Sequence, residues 1–119
     1  MNLTKIAAKI RADQAALMPI ELELLVDPNV AVSLVPGRVL DDLGVQASGE
    51  VAVDLGDGEK AVRKVGRVWM DVLGRGAQVR VAWGGPGEEP RLGQEAIAAC
   101  GLAVDPQTLI LRTPRPTGE

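Results

Sequence analysis

The chain has 119 residues, 46% of them apolar, with a formal net charge of −3 and no histidine. Trp69 and Trp83 are its only aromatics and Cys100 its only cysteine. These counts exclude an internal disulfide, Ser-His-Asp and Cys-His catalysis and the usual zinc ligand sets. They leave carboxylates as the acid–base candidates. Lys and Arg never form a run, which argues against a nucleic-acid or anionic-membrane surface.

The length suits one domain with one modest core. With so few aromatics, that core is built from Val, Leu, Ile and Ala, and the β-branched share points to strands. Apolar stretches near the N-terminus are interrupted by Lys5, Lys9 and Arg11. No run is long enough for a signal peptide or a membrane span, so a cytoplasmic location is the expectation. No metal and no cofactor is expected.

Residues 3–11 alternate, with Thr4, Ile6, Ala8 and Ile10 on one side. This predicts a half-buried strand. Residues 12–17 read as a turn, with a helical turn through Ala-Asp-Gln-Ala-Ala as the competitor. Residues 18–26 alternate again, Ile20, Leu22, Leu24 and Val26 inward and Glu21 and Glu23 outward. The hairpin so formed delivers the chain to Asp27.

Leu24 to Pro36 is the informative stretch: an apolar run, an acid, a turn and a second apolar run ending at proline. Two buried strands then bracket Asp27 in a short loop. Asp-Pro-Asn is a competent turn by itself, so Asp27 reads either as a turn former or as a functional acid held between strands.

Pro36 suits a first helical turn, Val39, Leu40 and Leu43 share a helical face, and Gly44 ends it. Asp41 and Asp42 read as solvated surface. Residues 50–55 alternate, Gly56-Asp57-Gly58 signals a hairpin, and a long return strand spans 59–73, with Gly66 marking a bulge or bend. Asp57 reads as a turn former. Gly74-Arg75-Gly76 is a second turn into Val79, Val81 and Trp83; both tryptophans read as core or interface. Neither glycine cluster is followed by Gly-Lys-Ser/Thr, so a phosphate loop is unsupported. Residues 84–90 form a loop, 94–100 a short helix stopped by Gly101, and 102–111 a last hairpin around Asp105-Pro106-Gln107. Residues 113–119 read as a flexible tail after a single domain over 1–112. The fold class is mostly β, a closed or sandwich-like sheet with one or two short helices.

The order of these parts resembles a retropepsin-like aspartic protease, most closely the small bacterial clan AA proteins. The residues that carry the likeness are Leu25-Val26-Asp27, Val32-Ser33-Leu34-Val35-Pro36, Leu40 to Val45, Leu55-Gly56-Asp57-Gly58, Leu92-Gly93 and Ala99 to Pro106, together spanning roughly residues 3–112. The resemblance implies a closed acid-protease barrel with a flap hairpin. It implies a homodimer in which each subunit contributes one catalytic Asp, here Asp27. It also implies a flap at Leu55, Gly56, Asp57, Gly58 and Glu59, and a Leu92-Gly93 pair that braces the acid loop. In such proteins two close carboxylates share a proton, one acting as base toward water and the other as acid toward the peptide carbonyl.

The sequence departs from the family pattern inside the acid loop. Where the family has Thr/Ser-Gly-Ala after the Asp, this chain has Pro28, Asn29 and Val30. Proline has neither the hydroxyl that clamps the two loops nor its own N–H, and Asn adds a side chain where glycine lets backbone approach. A misplacement of about 1 Å in such a site costs on the order of 10²-fold in rate. The expectation is therefore a homodimeric, catalytically impaired homologue that binds extended peptides. The alternatives are an active aspartic endopeptidase using Asp27 from each subunit, and a non-enzymatic structural β-domain.

Overall fold

The computed structural model describes residues 5–54, 58–105 and 111–112. The elements, in order, are β1 (Lys5–Arg11), β2 (Ile20–Val26), β3 (Ser33–Pro36), α1 (Gly37–Leu43), β4 (Gly49–Asp54), β5 (Lys60–Val72), β6 (Arg75–Gly84), β7 (Arg91–Leu92), α2 (Gln94–Ala99), β8 (Ala103–Val104) and β9 (Leu111–Arg112). The first seven strands form one sheet in the order β1-β2-β7-β3-β6-β5-β4. A further pairing of β1 with β5 closes it, leaving β4 outside the ring. Closure pairs the strands of the ring on both sides and leaves β4 as the sheet's free edge among the described residues.

Alternation explains which residues enter the ring. Ala8 and Ile10 of β1 and Leu24 and Val26 of β2 are buried, while Lys5, Ala7, Lys9, Glu21 and Glu23 face out. These buried residues join Val35, Leu40, Val68, Met70, Val72, Val81, Leu92 and Ile97 in the main core. A full burial of each such side chain contributes about 1.5–3 kcal/mol. Residues 12–19, between β1 and β2, hold no helix. There Ala15 N–H donates to Asp13 Oδ1 at 2.8 Å, an Asx turn that takes the place of a helical start.

The long strand β5 has two halves with different duties. Its N-terminal half pairs with β4, from Asp54↔Lys60 to Gly49↔Val65. Its C-terminal half pairs with β6 and, over Trp69–Val72, also with β1. The β4–β5 arm therefore rises from the ring as a hairpin. Val32, Leu34, Val53, Val65 and Ala82 make a second, smaller cluster at its base.

Gly66 makes no bulge. Pairing with β6 runs unbroken through Val65↔Ala82, Gly66↔Val81 and Arg67↔Arg80. The glycine is there because neighbours come too close for a side chain. A Cβ would lie 2.8 Å from the Gln46 carbonyl oxygen and 3.1 Å from the Trp83 ring. Trp83 is 8% exposed, and its Nε1–H donates to Asp41 Oδ1 at 3.0 Å. One of the two outward acids of α1 thus satisfies the polar end of a buried indole.

Pro36 is the last residue of β3 and caps α1 from outside, so the helix starts one residue later than its proline suggested. Gly44, at φ 75°, ends it. Of the final hairpin, β8 and β9 pair through Ala103↔Arg112 and Val104↔Leu111, while Pro106 and Gln107 lie outside the described residues. Among the described residues no helix is long and apolar enough to cross a membrane.

Candidate active site

Asp27 follows β2 directly and is 7% exposed. The parallel pairing of β2 with β7 sets its position: Leu25 N–H donates to Pro90 O at 2.9 Å and Asp27 N–H to Leu92 O at 3.0 Å. The loop then turns tightly. Val30 N–H reaches back to Asp27 O at 3.2 Å, and Asn29 N–H donates to Asp27 Oδ1 at 3.1 Å. Pro28, lacking an N–H, sits where this turn asks for no donor.

The other side of the loop is held by α2. Gln94 N–H donates to Val30 O at 2.7 Å and Glu95 N–H to Ala31 O at 3.0 Å. The first amides of a helix have no partner within it, and here the acid loop supplies the carbonyls. Gly93 is what allows this approach. A Cβ on it would lie 2.9 Å from the carbonyl oxygens of Val30 and Ala31. Gly93 N–H donates to Ser33 Oγ at 2.8 Å, and Ser33 is fully buried. Leu92 is itself fully buried in the main core.

The second oxygen of Asp27 has a partner that sequence reasoning missed. Arg91 Nη1 donates to Oδ2 and forms an ion pair with it. Arg91 occupies the first position of β7, beside Leu25 of β2 and Leu34 of β3. Its side chain is one-third exposed, while that of Asp27 is 9% exposed. A nearly buried carboxylate needs a counter-charge or dense hydrogen bonding, and here it has both. The signal available in the sequence was a lone cation immediately before Leu92-Gly93.

Above the loop stands the β4–β5 arm. A cleft of about 210 Å³ lies between them, lined by residues 29–32 of the loop, 51–53 of β4 and Lys60 of β5. Of the flap positions, Leu55, Gly56 and Asp57 lie outside the described residues. Gly58, at φ 76°, and Glu59 are exposed at the start of the return strand. The arm is tied to the 84–90 loop by an ion pair between Arg63 of β5 and Glu88. Glu88 Oε1 also accepts Gly85 N–H at 2.6 Å. That backbone hydrogen bond, with Arg63 beside it, holds the Glu88 carboxyl below its usual range against the opposing effect of burial. Among the described residues no group of three or more His, Cys, Asp or Glu side chains is placed to hold a metal ion.

No family model and no curated protein matches the chain. Solved structures do. The simian foamy virus (mac) protease in solution superposes with a TM-score of 0.55 at 16% identity, over 80% of this chain and 92% of that one. The foamy viral protease–reverse transcriptase bound to an RNA/DNA hybrid gives 0.59 at 17% identity, over 81% of this chain and 12% of that one. The native prototype foamy virus protease–reverse transcriptase gives 0.58 at 16% identity, over 98% of this chain and 13% of that one. The chain thus spans nearly all of the separate protease and about an eighth of the two longer protease–reverse transcriptase chains. The fold is that of the retropepsin-like aspartic proteases, a closed mostly-β barrel with a hairpin arm over an acid loop.

Proposed function

We propose that this chain is a homodimeric retropepsin-like protein with impaired peptidase chemistry that holds extended peptides between its acid loops and hairpin arms. The observation that carries the reading is the Arg91–Asp27 ion pair. An acid dyad works by passing a proton between two carboxyl groups and a water. A guanidinium on Oδ2 competes with the second acid for that oxygen. It cannot replace that acid, because arginine does not give up its proton in proteins. Pro28, Asn29 and Val30 add to the effect by removing the hydroxyl and the glycine on which such loops depend in this family.

Peptide holding needs less than catalysis. An open sheet edge and a lined cleft are enough for an added strand, and neither needs a working dyad. The alternative of an active endopeptidase draws on the retained Asp27 and its Asn29 N–H contact. A combined substitution separates the two: Pro28→Thr, Asn29→Gly, Val30→Ala and Arg91→Leu. The impaired-enzyme reading expects cleavage to appear in the restored chain and to vanish when Asp27→Ala is added. Cleavage by the unaltered chain at a similar rate overturns it. Sedimentation of the unaltered chain should give a dimer, and a monomer at high concentration contradicts the two-loop arrangement.

A further inference from the structure

We propose that the outer face of β1 and β2, with the loop that joins them, is a self-association surface on which two copies of this chain meet about a twofold axis. The face lies at the opposite end of β2 from Asp27, so the proposal is independent of the acid-loop dimer.

Misplaced apolar surface comes first. Among the described residues four large apolar side chains stand exposed, and three of them gather here. Leu17 is 91% exposed and Met18 79%, both in the loop between β1 and β2. That loop is held in place, since Ala16 N–H donates to Asp13 O at 3.1 Å and Arg11 Nη1 to Ala16 O at 3.4 Å. Leu17 and Leu73 line one groove of about 510 Å³. Leu73 stays apolar and exposed at φ 52°, a strained position that asparagine would relieve. Clustered apolar exposure of this kind marks an interaction surface.

Charge identifies the occupant. The chain carries a net −3, so two copies repel over most of their surface. The groove is the exception, lined by two cations, Lys9 and Arg11, and two acids, Glu21 and Asp71. Asp71 is already engaged, accepting from Arg11 at 3.0 Å and from Trp69 Nε1–H at 3.2 Å. Lys9 and Glu21 stand opposite each other in the β1–β2 register, and neither forms an ion pair among the described residues.

Geometry joins the two. A twofold axis running along the strands between β1 and β2 sets each copy's β2 over the other's β1. Glu21 of one copy then faces Lys9 of the second, and the reverse, as an isologous contact requires. The Leu17–Met18 end of the loop leads into β2, so the same rotation carries it over the second copy's groove. One chain thus supplies both the apolar projection and the groove that receives it.

Sedimentation velocity of the full chain over a range of concentrations tests this. The unaltered chain is expected to show a mass-doubling step that Leu17→Asp weakens by about tenfold or more. Lys9→Glu and Glu21→Lys should each weaken the same step by about tenfold, because each sets like charges together at two places. Mixing these two variants, one of them fluorescently labelled, should restore it, because a mixed pair again sets an acid against a lysine at both places. A broken contact within one chain would not be mended by mixing, so absence of rescue overturns the proposal. A doubling that Leu17→Asp leaves unchanged also overturns it, and leaves the acid-loop dimer intact. A doubling that Leu17→Asp reduces to monomers upholds this contact and counts against the acid-loop dimer. Monomer at every concentration overturns both.

Discussion

Arg91 donates to Oδ2 of Asp27, a residue 64 positions earlier in the chain. The pair joins the start of β7 to the end of β2 at the point where, among the described residues, an acid is buried. Removing the guanidinium leaves a carboxylate 9% exposed without its counter-charge. Arg91→Leu should therefore cost about 2 kcal/mol in urea unfolding, below the value for a fully buried pair because Arg91 itself is partly solvated. Asp27→Asn should cost less, since the amide oxygen still accepts from Asn29 N–H. The double variant should be more stable than the sum of the two changes implies, by about 1 kcal/mol.

Gly93 shapes the same loop by having no side chain. Gly93→Ala drives a methyl group into the Val30 and Ala31 carbonyls at 2.9 Å, and its expected cost is about 1–3 kcal/mol. Gly49→Ala is the control. A Cβ there meets only Val65 Cγ1, at 3.6 Å, so thermal unfolding should show little loss or a small gain.

How much of this was legible in the chain depends on the range of the interaction. The alternation in 5–11 and 20–26 announces β1 and β2 because side chains in a strand alternate whatever surrounds them. The β4–β5 hairpin follows from its Val periodicity and its glycines for the same local reason. The partner of Asp27 did not show, because nothing near Asp27 in sequence announces a residue brought beside it by a parallel strand pairing. Gly66 misled for a similar reason. A glycine within a strand signals a bulge or bend locally, the unbroken pairing rules out the bulge, and only the packed fold reveals the Trp83 ring resting against it. Asp41 was read as plain surface, yet it is the acceptor for that indole.

The hairpin between β5 and β6 offers a gain in stability. Val72 pairs with Arg75, so Leu73 and Gly74 form a two-residue turn with φ of 52° and 78°. Such a turn needs positive φ at both positions, which strains leucine. Leu73 is 47% exposed, so little burial is lost on replacing it. Leu73→Asn should raise stability by about 0.5–1 kcal/mol, seen as a higher urea midpoint with an unchanged slope.

Glu88 sets a pH dependence whose sign follows from its lowered native pKa. Its ordinary value is 4.5, and Gly85 N–H and Arg63 hold it lower in the folded chain. The unfolded chain therefore takes up this proton first as pH falls. The stabilisation is fully present above about pH 4.5 and is lost as pH drops through the native value. Glu88→Gln should flatten that acid limb of the stability curve and leave the neutral region lower by a constant amount. An unchanged acid limb would separate the Arg63–Glu88 tie from stability.

On the function proposed above, the chain keeps the acid and has given up the peptidase chemistry. Mass spectrometry of a broad peptide library incubated with the chain between about pH 3 and 7, the range in which a shared-proton dyad titrates, tests it most directly. The account predicts no bond whose cleavage depends on Asp27. Cleavage that appears with the unaltered chain and disappears in Asp27→Ala would contradict it.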